Sequence, residues 1–144
     1  MTTVDQLQQA VNRFRQARIL VVGDVIVDQF IWGTVSRISP EAPVPVVNVT
    51  REEFLLGGSA NVLNNIYSLG GQGTMCGIIG HDGMGDKLVD LVQQLQASVE
   101  GIIRDERTTT VKSRVIAHGQ QVVRYDREER STPSQKTIDA MVDY

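Results

Sequence analysis

Residues Arg18–Asp24 read RILVVGD: a short apolar run closed by a glycine and an acid. Such a run between turn residues is the signature of a strand covered on both faces in a parallel sheet, which places it centrally. Upstream, Thr3 followed by Gln6 forms a capping-box pattern, and Val4, Leu7, Val11 and Phe14 recur at helical spacing. An amphipathic helix ending near Ala17 follows. Downstream, FLLGGSANVLNNIYSLGG sets a glycine pair before an apolar face of Val62, Leu63, Ile66 and Leu69 and stops at Gly70 and Gly71. That is a helix with a glycine-rich start and a glycine C-cap. Thr74–Ile79 reads as a second strand, Asp86–Ala97 as a helix with Leu88, Leu91, Val92 and Leu95 on one face, and Val99–Ile103 as a third buried strand. Alternating strands and helices make an α/β protein with a Rossmann-like, doubly wound sheet.

Two segments depart from that alternation. SRISPEAPVPVV, Ser36–Val47, holds three of the four prolines and runs into strand-like Val44–Thr50. Because proline donates no backbone hydrogen bond, this strand belongs at a sheet edge or is entered through a bulge. Thr108–His118 and Gln120–Arg127 are two β-rich runs about Gly119, an antiparallel hairpin. Thr132 and Pro133 then cap a last helix with Ile138, Met141 and Val142 on one face.

Bulk properties exclude several classes. The 144 residues carry a net charge of −3 with 5% aromatics, unlike the basic, ring-bearing surface of a nucleic-acid binder. No apolar run reaches the roughly 18 residues of a membrane span, and the N-terminus lacks the layout of a secretory signal. Cys76 is the single cysteine, which suits a reducing cytoplasm, and His81 and His118 stand without other ligands at metal spacing. No nucleic-acid, membrane or metal partner is expected.

Three groups of residues could carry chemistry. In LGGSAN, Leu56–Asn61, Gly57 and Gly58 let backbone approach a ligand at a helix start, and Asn61 can both donate to and accept from a hydroxyl. The same letters also describe a tight turn capped by Ser59 or Asn61. Asp24 and Asp28 follow the first strand, where open α/β sheets place their sites, and Asp28 suits a polyol; turn capping is the competing role, above all for Asp24. Lys112 and Arg114 share one face of a hairpin arm, as do Arg124 and Asp126 on the other. These cations could receive a phosphate, or form cross-strand ion pairs on a solvated face. GHDGMGDK, Gly80–Lys87, lacks the glycine spacing of a P-loop and reads as a turn into the next helix.

The Gly-Asp pair with a second acid four residues on, GGSAN, Gly70 and Gly80 together resemble the ribokinase-like (PfkB) carbohydrate kinases. SRISPEAPVPVV is similar to a segment of the heptose kinases of that family, which phosphorylate D-glycero-D-manno-heptose 7-phosphate at O1 and are often fused to an adenylyltransferase. The resemblance covers the chain from Ile19 onward. It implies that Asp28, Gly57, Gly58 and Asn61 hold sugar hydroxyls and that a small β-sheet lid, about residues 29–54 and 108–127, clasps a second copy. The proline segment would be the turn from core to lid. Lys112, Arg114 and Arg124 are expected candidates for the substrate phosphate, an inference from shared face and charge. Family kinases use Mg-ATP, a catalytic Asp in a GAGD-like anion hole and an N-x-x-E motif in their second half. No N-x-x-E occurs here, and GMGD at 83–86 is a lookalike. Residues 1–144 are therefore expected to be the N-terminal portion of one kinase domain, without a catalytic residue or complete Mg-ATP site and inactive alone. A different PfkB sugar kinase and a non-catalytic dimerising module remain as alternatives.

Overall fold

The computed structural model describes residues 3–144. Helix α1, Val4–Asn12, starts as its sequence predicts: Thr3 accepts from the Gln6 amide and the Gln6 side chain accepts from Thr3. It stops at Arg13, short of Ala17, and gives way to a 3-10 turn at Phe14–Gln16. None of its residues is buried, so no packing holds a further α-turn in place.

The core is a parallel sheet in the order β1-β4-β5, formed by β1 (Arg18–Val22), β4 (Gln72–Gly80) and β5 (Ile102–Asp105). Strand β1 is thus an edge strand rather than a central one. Val21 is buried, whereas Leu20 and Val22, on the opposite face, are 55% and 62% exposed. Helices α2 (Ser59–Ser68) and α3 (Gly83–Gln94) pack on the Val21 face, where Leu63, Met75, Ile79, Leu88 and Val92 are fully buried. On the other face α4 (Gln135–Asp143) lies over β4 and β5, with the Met141 carbonyl 3.8 Å from Cys76 Sγ, and does not cover β1. Burial follows the cover available, not the apolar run alone.

Several boundaries differ from expectation for local reasons. Asp82 caps α3, which starts at Gly83 instead of Asp86, so GMGD is its first turn. Ser134, not Thr132 or Pro133, caps α4. The third strand begins at Ile102 rather than Val99.

From β1 the chain passes through Gly23 and Asp24 directly into β2 (Val25–Ile38), which pairs antiparallel with β3 (Pro45–Gly58). The proline segment is therefore the distal tip of this hairpin, closed by Ser39 N donating to Val44 O at 2.8 Å, and not the passage from core to lid. β3 is an edge strand, as its prolines require, of a sheet ordered β3-β2-β6-β7. Register shifts near Gly33 and Ser36 bend the hairpin. Strands β6 (Thr110–Ala117) and β7 (Gln120–Arg127) form the expected hairpin, with His118 and Gly119 at φ of 51° and 73° in its two-residue turn. β6 pairs parallel with β2, which brings residues some 85 positions apart onto one surface.

Candidate functional site

The glycines of LGGSAN lie in β3 rather than in a loop: Gly57 pairs with Ile26 and Gly58 with Val25, and Ser59 already belongs to α2. Their role is spatial. Gly58 has φ +56°, and a β-carbon there would strike the Asp24 carbonyl and approach Ile26 Cδ1 to 2.9 Å. At Gly57 a β-carbon would lie 2.6 Å from Asp28 Oδ2. The glycine pair therefore seats β3 against both acids. Ser59 fixes the junction, its amide and hydroxyl donating to Asp24 O at 2.9 and 2.8 Å. Asp24 thus takes the turn-capping role through its backbone, while its side chain makes no hydrogen bond among the described residues.

Strand alternation and register put Ile26, Asp28 and Phe30 of β2, Leu55 and Gly57 of β3, Lys112 and Arg114 of β6, and Arg124 and Asp126 of β7 on one face. There Arg114 Nη1 donates to Asp28 Oδ1 at 2.6 Å. Arg124 forks onto both oxygens of Asp126 at 2.8 and 2.7 Å, which holds that carboxyl below its ordinary pKa and raises the guanidinium. Lys112 Nζ stands 3.9 Å from Asp126. The expected cation cluster is therefore a set of ion pairs, three cations against two carboxylates: Arg114–Asp28 and Lys112–Asp126 across strands, and Arg124–Asp126 along β7. Asn61, in the first turn of α2, joins Asp28 and Phe30 on the wall of a hollow of about 390 Å³.

A second candidate region lies where the β3-β2-β6-β7 sheet meets the carboxyl ends of β1 and β4, the usual place for a ligand in an open α/β sheet. Two hollows of about 300 and 310 Å³ share Asp24, Arg107 and Thr110; the second also reaches Ile26, Lys112 and Arg130. Arg107 was not legible as a site residue. Its head group donates to the Glu129 carbonyl, tying the segment after β7 across the seam. Only its place just before a threonine run and strand could have flagged it. A larger hollow, about 730 Å³, sits at the opposite, amino ends of β1 and β4 beside Arg18 and Gln72.

In the Gly80–Lys87 segment both acids are engaged by the protein itself. Asp82 accepts from Gly85 N through Oδ1 and from Thr109 N through Oδ2, both at 2.8 Å, and Asp86 pairs with Arg104 at 2.6 Å. Burial raises the Asp82 pKa, but the hydrogen bonds from Thr109, Gly85 and Met84 outweigh it and leave the group below its ordinary value. Among the described residues no cluster of three or more His, Cys, Asp or Glu could hold a metal ion.

The same architecture recurs in known structures. A carbohydrate kinase from Agrobacterium tumefaciens superposes with a TM-score of 0.60 at 18% identity, covering 76% of this chain and 35% of that one. A Methanocaldococcus jannaschii nucleoside kinase, an archaeal member of the ribokinase family, gives 0.57 at 16% identity over 76% of this chain and 36% of its own. In sequence, the bifunctional protein HldE of Wolinella succinogenes is 47% identical over 127 residues, 88% of this chain and 27% of that protein. HldE of Citrifermentans bemidjiense is 42% identical over 140 residues, 96% and 29% respectively. The chain thus spans less than a third of the curated relatives it matches. The fold is ribokinase-like α/β with a parallel and a mixed sheet, and the family of pfkB carbohydrate kinases matches residues 16–143: the chain belongs to that family.

Proposed function

We propose that this chain forms the sugar site and lid of an ATP-dependent kinase that phosphorylates D-glycero-D-manno-heptose 7-phosphate at O1, on the route to ADP-heptose for lipopolysaccharide core. The observation that carries the reading is the close seating of Gly57 against Asp28 on one sheet face, with Lys112 and Arg114 beside them and Gly58 packed on the Asp24 carbonyl next to it. The similarity to HldE proteins supports the choice of sugar. Asp28 accepts hydrogen bonds from sugar hydroxyls, and Asn61 donates or accepts beside it. Lys112, Arg114 and Arg124 are the cations on the lid available to the phosphate. The lid covers the sugar and excludes water that would otherwise compete for the phosphoryl group.

Mg-ATP supplies the phosphoryl group, and both its pocket and the base that activates O1 come from residues outside these 144. The chain alone therefore binds sugar phosphate without turning it over. β7 offers a second copy an edge on which Val122, Val123 and Tyr125 are exposed, so a homodimer through the lid belongs to the same reading, as does a cytoplasmic location. Calorimetric titration of the purified chain with the heptose 7-phosphate, fructose and ribose tests the substrate. Preference for the heptose phosphate is expected; preference for fructose or ribose points to another sugar kinase of the family, and ATP-dependent turnover by the chain alone overturns the division of labour. Sedimentation tests the dimer, and a monomer at all concentrations removes it.

A further inference from the structure

The three lid cations are not equivalent, and what each already holds separates them. Arg114 forms a close pair with Asp28, the two side chains only 23% and 24% exposed, and its guanidinium lies over the Phe30 ring at 5.1 Å. Phe30 in turn stacks on Trp32 with centroids 5.5 Å apart. Arg124 is committed to Asp126 through two hydrogen bonds. Lys112, at 3.9 Å from Asp126, is beyond hydrogen-bonding distance and touches its partner only through space. Moving either arginine to a phosphate would strand a carboxylate that is now hydrogen-bonded, with a large penalty for the partly covered Asp28. Moving Lys112 strands nothing, because Asp126 keeps Arg124.

Position agrees with this division. Lys112 lies directly opposite Asp28 in the β2–β6 register, about 5 Å away across neighbouring strands. It is the one cation of the three that also faces the hollow shared with Arg107 and Thr110. Arg114 occupies Oδ1 of Asp28, while Oδ2 points over the bare α-carbon of Gly57. A guanidinium that holds one carboxylate oxygen fixes the direction in which the other is presented.

We propose that Arg114 is the positioning residue of Asp28, not a ligand of the phosphate, and that the phosphate contact on the lid falls to Lys112. This rests on the sugar-phosphate reading above. Its test is calorimetric titration of the wild-type chain and of Lys112→Gln, Arg114→Gln, Arg114→Lys and Asp28→Asn with D-glycero-D-manno-heptose 7-phosphate, D-glycero-D-manno-heptose and inorganic phosphate, with melting curves as the folding control. Arg114→Gln is expected to weaken the phosphorylated and unphosphorylated sugars by the same factor, about 10- to 100-fold for a lost charge-assisted contact. Arg114→Lys should recover part of that loss. Lys112→Gln should weaken only the phosphorylated sugar and erase its advantage. A selective loss of the phosphorylated sugar in Arg114→Gln overturns the assignment while leaving the sugar site intact, as does an unchanged preference in Lys112→Gln. If the wild-type chain binds neither sugar, or Asp28→Asn binds both as well as wild type, the sugar-site reading itself falls. Should Arg114→Gln melt below the assay temperature, the Arg114→Lys and Lys112→Gln pair still decides: equal weakening of both sugars in the former and selective weakening in the latter is the expected pattern, and the reverse contradicts it.

Discussion

Gly57→Ala separates the site from the fold more cleanly than any other single change. Gly57 has no positive φ, so its backbone accepts an alanine; what the new methyl meets is Asp28, with Oδ2 at 2.6 Å and Cγ at 2.8 Å, and then Ile26 Cβ at 3.3 Å. Ordinary contact begins near 3.4 Å, so the carboxylate must retreat by roughly 0.8 Å or turn to another rotamer, as for any overpacked side chain. Either motion pulls Oδ1 from its 2.6 Å contact with Arg114. Overpacking of this size destabilises by about 1–3 kcal/mol. Losing a hydrogen bond between charged groups and a sugar hydroxyl costs about 1.5–3 kcal/mol, or ~10- to 150-fold in affinity. Calorimetry with the heptose 7-phosphate, beside a urea melt, reads both quantities. Wild-type affinity in a folded Gly57→Ala protein would refute the placement of Asp28 at the sugar. Gly58→Ala is the contrasting control: with φ at +56° and the Asp24 carbonyl in the way, it should damage stability and binding together.

Further expectations concern the scaffold. Asp82→Ala removes the α3 cap and leaves the Gly85 and Thr109 amides without their acceptor, so urea denaturation should show a loss of about 1–3 kcal/mol. Asp105, whose carboxylate accepts from the Glu106 and Ser134 amides, is held below its ordinary pKa first by the Glu106 bond and then by that of Ser134. With Asp82 and Asp126 shifted in the same direction, the folded state binds protons less readily than the unfolded one. Stability should therefore be fully present above the unfolded carboxylate value of about 4 and fall as pH drops through the lower folded values, with a shallower fall in Asp105→Asn; urea melts between pH 7 and 3 check this. Burial raises the Cys76 thiol pKa, so a thiol reagent at pH 8 should label it slowly in the folded chain and fast in urea.

Local chemistry made part of this fold legible. The β6–β7 hairpin follows from two β-rich runs about Gly119, α1 starts where Thr3 and Gln6 reciprocate, and the prolines correctly push β3 to an edge. What escaped is what depends on distant partners. RILVV has the composition of a doubly covered strand, yet no helix of the described residues covers Leu20 and Val22. The resemblance assigned β structure to about residues 29–54, whereas β2 already begins at Val25 and carries bulges near Gly33 and Ser36. The glycine pair read as a loop, although glycine also marks a strand that must approach another backbone closely, which is its role against Asp24 and Asp28. Asp28, Gly57 and Gly58 each stood out in the sequence as candidates. The contact of Asp28 with Arg114 did not, since it depends on the parallel β2–β6 register across 86 residues.

Chemical-shift mapping of the amide resonances during titration with D-glycero-D-manno-heptose 7-phosphate addresses the proposed site most directly. Perturbations concentrated at Asp28, Gly57, Gly58, Asn61 and Lys112 are expected. Perturbations confined to the far hollow about Arg18, Gln72 and Gln96, or none at saturating sugar phosphate, would contradict it.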